Sequence, residues 1–162
     1  MQEKIKFGFV FEVEALIDGQ WQKTEDHNLV PTEGMNYILN TILKGGTPIP
    51  TYYVALYEGN FTPTQSTTAA TFVAAATECV AYTEAARPTW VGGSVVSGAV
   101  DNNATPAEFT FAVDKTIYGA ALLSSSVKGN GSGTLLSIVR FTSPRVNPEV
   151  LRVKAGIALL NS

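Results

Sequence analysis

The chain is predicted to be mainly β: an antiparallel β-sandwich or jelly roll with one early amphipathic helix, about 32–44, and an N-terminal β-hairpin. Three observations predict it. A period-2 apolar run over residues 5–17 ends at Asp18-Gly19, and a single 3.6-period stripe covers residues 35–42. From residue 52 onward, short β-branched and aromatic runs recur between Gly, Pro and Asn turn signals, bringing the strand count to roughly eight to ten.

In the first run Ile5, Phe7, Phe9, Phe11, Val13, Ala15 and Ile17 alternate with polar positions that include Lys6, Glu12 and Glu14, as in a strand with one buried face. Asp18-Gly19 is a strong two-residue hairpin turn, and Gln20–Lys23 returns as its partner strand. Next, Met35, Ile38, Leu39 and Ile42 fall at i, i+3, i+4 and i+7. Pro31 or Thr32 opens this helix, Glu33 suits its positive end, and Gly45-Gly46 with Pro48 stops it. The stripe is expected to face the β core, where Leu39→Ala should cost about 2–5 kcal/mol.

Tyr52–Glu58 reads as a strand, Asn60–Thr68 as a loop and Ala69–Ala76 as a short helix. Val80–Tyr82, Thr89–Val91 and Ser94–Val100 are short strand candidates, broken by Pro88 and Gly92-Gly93. Phe109, Phe111 and Val113 alternate with polar neighbours. Ile117–Ser124 is an unbroken small-apolar run, which predicts a strand covered on both faces. Gly129–Gly133 connects it, as a flexible link, to a strand over Leu135–Phe141. A last alternating strand runs from Leu151 to Leu159. At 162 residues the whole chain, 1–162, forms one domain, with residues 1–26 as a hairpin able to project as an arm. Deleting residues 1–18 is then expected to cost binding more than folding.

Charge is sparse. Only 15% of residues are charged, against roughly 25% in an average globular protein. Residues 1–114 hold five Lys/Arg and thirteen Asp/Glu, net −8, whereas residues 115–162 hold six against Glu149 alone, net +5. Two readings follow: acidic and basic strands lie side by side in one domain, or opposite surfaces meet between subunits. The N-terminus has no apolar block with a small-residue cleavage site, and no apolar run approaches the ~20 residues of a membrane span. The chain is therefore expected to fold in a cytoplasm and not to bind a membrane.

A search for chemistry returns little. Cys79 is the only cysteine, which rules out an intrachain disulfide, and it reads as a small buried hydrophobe. His27, the only histidine, sits in a polar Asp26-His27-Asn28 segment that suits a loop or helix-opening hydrogen bond better than catalysis. Gly129-Asn130-Gly131-Ser132-Gly133 lacks the Lys-Ser/Thr ending of a phosphate loop, and a strand follows it. Asp101-Asn102-Asn103 lacks the glycine and distal acid of a calcium loop and reads as an Asx-turn. Arg152 and Lys154 alternate with Leu151 and Val153, as on a solvated strand face, so direct nucleic-acid binding is not expected. Tyr52, Tyr53, Tyr57, Phe61, Tyr82 and Trp90 fit either a sugar-binding groove or core packing. No cofactor, metal site or catalytic set is expected.

The chain also carries Gly19-x-Trp21, Asn28-Leu29-Val30-Pro31-x-x-Gly34-x-Asn36-x-Ile38-Leu39 and Tyr53-Val54-Ala55-Leu56-Tyr57. Beyond these come Asn60-x-Thr62-Pro63, Ala81-Tyr82-x-Glu84-x-x-Arg87-Pro88, Ala107-x-Phe109-Thr110 and Ile117-Tyr118-Gly119-Ala120. With these motifs, from about Gly19 to the C-terminus, it resembles small structural proteins of tailed-bacteriophage virions, most of all jelly-roll capsid cement (decoration) proteins. The resemblance implies a non-enzymatic protein on the capsid exterior that binds the shell of the major capsid protein and copies of itself. The alternative is a tail, baseplate or fibre component able to bind glycan. The candidate contacts to capsid or sister subunit are Phe7, Phe9, Phe11, Trp21 and Arg145. An exposed N-terminal strand is the expected route for edge-to-edge pairing.

Overall fold

The computed structural model describes residues 8–159. A hairpin of β1 (Phe9–Ile17) and β2 (Gln20–His27) leads into α1 (Thr32–Lys44) and β3 (Tyr52–Tyr57). The chain continues through α2 (Ala69–Ala75), β4 (Glu78–Cys79), β5 (Thr89–Trp90), β6 (Ala99–Asp101) and β7 (Ala107–Thr110). It ends with β8 (Thr116–Leu123), β9 (Leu135–Val146) and β10 (Val150–Ala158). The strands form two antiparallel five-stranded sheets. One has the order β2-β1-β10-β6 with β7 also on β10, and the other the order β4-β3-β8-β9 with β5 also on β3. The fold is the mainly β, sandwich-like one predicted, with its early helix and N-terminal hairpin.

Strand alternation sets the layers. Phe11, Val13, Phe109 and Val153 from the first sheet meet Val54, Leu56, Leu122 and Val139 from the second in the main core. The intervening residues of the second sheet, Ala55, Tyr57, Ala121 and Leu123, point the other way and pack under α2 through Phe72 and Ala76. This explains the unbroken apolar run of β8: both of its faces are covered. Thr68 and Thr71 form a reciprocal capping box that starts α2.

The hairpin is not an arm. From Phe9 to Leu16, β1 is bonded to β10 on one side, and from Val10 to Ile17 to β2 on the other. Phe11, Val13 and Ala15 are fully buried. Deleting residues 1–18 therefore removes an interior strand, and the expectation that such a truncation spares the fold is withdrawn. Residues 1–7 lie outside the described residues, so the early positions Ile5 and Phe7 are not placed. The strand expected over Ser94–Val100 begins only at Ala99. Ser97 and Gly98 take positive φ (50° and 75°), and Val96 and Ala99 exchange backbone hydrogen bonds at 2.9 Å, which turns 94–98 back on itself. Likewise β7 stops at Thr110 and leaves Val113 exposed.

The largest departure concerns α1. Its first turn is held by polar and steric contacts. Glu33 Oε2 accepts hydrogen bonds from Ala69 N (2.8 Å) at the start of α2 and from Leu135 N (2.7 Å) at the start of β9. Gly34 lies against the β9 backbone so closely that an added Cβ would stand 2.4 Å from the Leu136 carbonyl oxygen. The packed face is therefore Gly34, Tyr37 and Ile38. At 3.6 residues per turn, the centre of the apolar stripe lies about 100° around the helix from that face. Of the four stripe residues, only Ile38 packs on the core, while Leu39 is 55% and Ile42 is 72% exposed.

Gly34→Ala should lower stability by about 1–3 kcal/mol, because overpacking here meets backbone and not a side chain that can swing away. Leu39→Ala should cost under about 1 kcal/mol, replacing the larger loss expected from periodicity alone. Urea unfolding of both variants measures this. Equal losses at the two positions would mean that the stripe, and not the first turn, holds the helix.

Candidate functional site

Residues 34–43 contain no charge, and Glu33 and Lys44 are the only ionisable side chains other than Tyr37 on α1. Its outer surface consists of Met35, Asn36, Leu39, Asn40, Ile42 and Leu43, all exposed. A surface helix normally turns charge to water and apolar residues inward. Here the apolar arc faces out.

Beside this face the sandwich opens in a groove of about 400 Å³. Tyr37, Ile38 and Ile42 of α1 form one wall, Tyr52 and Trp90 the floor, and Val95, Val100 and Leu159 the far side. The floor is rigidly placed. The Tyr37 hydroxyl accepts from Ile49 N at 2.7 Å, its ring meets Tyr52 edge-on at 6.3 Å, and the Trp90 indole donates to Ala155 O at 2.9 Å. Val95 on the far wall is 75% exposed. Ile42 belongs to both the groove and the outer face of α1, so the two make one continuous apolar surface. It can bind apolar groups, and no acid–base pair lines it.

The predicted contact residues are mostly elsewhere. Phe11 is fully buried in the main core and unavailable to a partner, while Phe9, also a core residue, lines the inner end of the groove. Phe7 lies outside the described residues. Arg145 is buried too. Its Nη1 donates to Ser143 O at 3.0 Å and its Nη2 to Thr24 Oγ1, and burial lowers its pKa, opposed by the charge of Asp26. Asp26 in turn accepts from Thr142 N (2.9 Å) and Thr142 Oγ1 (2.6 Å), so Asp26 and Arg145 clamp β2 to β9 across the two sheets. Among the candidates that are described, Trp21 is the exposed one, at 47%, with the Arg152 guanidinium 4.5 Å from its ring. The apolar face of α1 was visible as a stripe in the sequence. Its outward setting was not.

The aromatic residues considered for a sugar groove do not gather on one surface. Tyr57 and Tyr82 are interior, and desolvation raises the pKa of both. His27 lies exposed at the end of β2, opposite Val10, and among the described residues its side chain makes no hydrogen bond. Asp101 Oδ1 accepts from Asn103 N at 2.9 Å, the Asx-turn expected. The Gly129–Gly133 connection is anchored instead of free. Glu78 and Arg87 form a fully buried bidentate pair at 2.7–2.8 Å. Gly129 N donates to Glu78 Oε2 at 3.0 Å, and Asn130 O accepts from Arg87 Nη2 at 2.9 Å. Cys79 is buried, and desolvation pushes its thiol up to about 11. Among the described residues no three His, Cys, Asp or Glu side chains come together as metal ligands would, and no helix is long and apolar enough to cross a membrane.

Three of the six basic residues at this end of the chain are paired with carboxylates within it: Lys154 with Glu12 and Glu14, Arg152 with Glu108, and Lys115 with Glu58. The side-by-side reading of the lopsided charge thus holds for these strands. Lys154 and then Lys23, by hydrogen bonding its carboxylate, hold Glu12 below its ordinary pKa of 4.5. A scan against protein-family models and a search of curated proteins find no match to this chain.

Because the folded-state pKa of Glu12 is depressed, the stability it contributes is complete above 4.5 and is lost as pH falls through the folded value. Lys154→Ala should move the Glu12 pKa back toward 4.5, as read by NMR titration; an unmoved pKa would remove Lys154 as the cause. Arg87→Ala should cost about 3–5 kcal/mol by leaving Glu78 buried without a counter-charge. A loss under about 1 kcal/mol would show that water reaches Glu78.

Proposed function

We propose that this chain is a non-enzymatic structural protein of a tailed-phage virion, a capsid cement or decoration protein. On this reading it binds the shell formed by the major capsid protein on the capsid exterior and associates with copies of itself, with no direct contact to nucleic acid or membrane. The observation that carries the proposal is the uncharged, outward apolar face of α1 continuous with the apolar groove. A contiguous exposed apolar surface of this kind marks a protein contact. Charge depletion at its centre is the compositional mark of an interface core.

Other features support the same reading. Residues of the motifs that resemble virion proteins fall on joints that hold the sandwich together. Asn28 accepts from Phe9 N at 2.6 Å and donates to Ser137 Oγ, Glu84 accepts from Thr110 N at 3.1–3.2 Å, and the Tyr57 hydroxyl donates to Val139 O at 2.9 Å beside Gly119. A rigid sandwich with one apolar face suits a clamp on a repeating shell, where many weak contacts add up.

Electron cryomicroscopy of the virion tests the proposal. Density for the sandwich on the capsid exterior, in a copy number near that of the major capsid protein, is the expected result. A handful of copies at the tail or baseplate would assign the chain to the alternative role, and absence from the particle would reject both.

A further inference from the structure

We propose that the apolar groove beside α1 is filled by the chain's own N-terminal segment, residues 1–7, with β1 continuing along β10 and the Phe7 ring seated in the groove against Leu159. The proposal is independent of the virion reading.

The described chain begins at the groove. Phe9 lines its inner end, and Ile157 and Leu159 line it further out. β1 and β10 pair antiparallel, with Phe9 opposite Ile157. Each residue added before Phe9 therefore moves one residue further along the partner strand, which sets Phe7 opposite Leu159. β2 turns away at this point: Leu29 exchanges backbone hydrogen bonds of 2.9 and 3.0 Å with Ile138 of the other sheet. About 7 Å of strand separates Phe9 from Phe7, so the segment enters the groove without a linker.

The side chains fall in the matching phase. Phe9, Phe11 and Val13 point between the sheets, and Ile5 and Phe7 continue the same period of two, with Lys4 and Lys6 on the solvent side. The Phe9 backbone is bonded to Asn28, its N–H to Oδ1 at 2.6 Å and its carbonyl to the Asn28 N–H at 3.3 Å. The Leu159 N–H donates to Gly98 O at 2.9 Å, away from β1. Phe7 and Leu159 thus form a non-hydrogen-bonded pair, the kind whose side chains stand closest, with Cα atoms about 4.5 Å apart.

The groove selects apolar side chains from this segment. Apart from Tyr37 and Tyr52, no ionisable side chain lines it, so burying an aromatic or aliphatic group there is favourable and burying a lysine is costly. A cavity of about 150 Å³ accepts benzene, and the groove, at about 400 Å³, has room for the Phe7 ring and the Ile5 side chain together. Phe7 then joins Phe9 and Phe11 inside its own sandwich. The apolar surface left for a partner is the outer arc of α1 with Met35, Leu39 and Leu43.

Crosslinking and fluorescence test this. Phe7→Cys with Leu159→Cys should form a disulfide within one chain under mild oxidation, since the pair's spacing lies in the 4.4–6.8 Å Cα range of disulfides. Lys6→Cys with Leu159→Cys should not, and the natural Cys79 is buried. Trp21→Phe leaves Trp90 as the only tryptophan. In that background, deleting residues 1–7 should shift the Trp90 emission to longer wavelength and let the groove bind anilinonaphthalene sulfonate. Phe7→Asp in the full chain should reproduce both changes and Lys6→Asp neither, with a cooperative urea transition as the control for folding. Emission and dye binding unchanged by the deletion and by Phe7→Asp would show that the segment lies elsewhere. A disulfide linking two chains would make a second copy the occupant, and equal crosslinking from Lys6→Cys would remove the register. Each of these overturns the proposal, and none depends on where the protein sits in a virion.

Discussion

The docking of α1 through Glu33 and Gly34 is the constraint on which the rest of this molecule's surface depends. One carboxylate oxygen takes the first N–H of α2 and the first N–H of β9, so three elements begin at the same point. Hydrogen bonds to an ionised acceptor are the stronger kind, and leaving two buried N–H groups without a partner is costly. Next to them, the missing side chain of Gly34 allows helix and strand backbones to touch. Neither contact can be kept if the helix turns about its axis. The hydrophobic stripe, which would favour such a turn, is outweighed and stays in water.

The same logic recurs through the sandwich. Its two sheets share a continuous apolar core, but their relative placement is pinned by a few polar joints at the edges. Asp26 and Arg145 tie β2 to β9 and Asn28 ties the start of β1 to Ser137 on β9, while within the second sheet Glu78 with Arg87 ties β4 to the β8–β9 connection. A buried ion pair is a weak source of net stability because desolvation offsets most of its attraction. Its effect is positional. Glu78 and Arg87 together take up backbone groups of Ser125, Gly129 and Asn130, which a glycine-rich connection could not otherwise order. Tyr57 and Gly119 are a steric counterpart: the phenol fills the space a Cβ would need, and its hydroxyl reaches Val139 O.

These joints divide the surface into two kinds. The outer side of the first sheet carries Glu12, Glu14, Lys23 and Lys154 in ion pairs that satisfy one another. A partner would have to desolvate them, at a cost that exposed pairs seldom return. The α1 side and its groove carry almost no charge and lose little by being covered. A non-catalytic, assembling protein is consistent with that asymmetry, and so is a contact made by apolar area more than by long-range attraction.

By itself, the sequence determined what depends on neighbours along the chain. Period-2 runs specified β1 and β10, aromatic and β-branched content specified β3, the 3.6 period and its glycine stop specified α1, and the two-sided apolar run specified a doubly covered β8. Asp18-Gly19 specified the first turn. Each is a local statement, because dihedral preference and side-chain alternation are set within a few residues. Tertiary structure alone decided what depends on distant partners. The rotation of α1 follows from Leu135 and Leu136, about a hundred residues later, and the burial of Phe9 and Phe11 follows from pairing with the last strand of the chain. Periodicity reports that one face of an element is apolar. Whether that face meets the core or the solvent is set by contacts that no local pattern contains, and here they turned the most legible helix of the sequence outward.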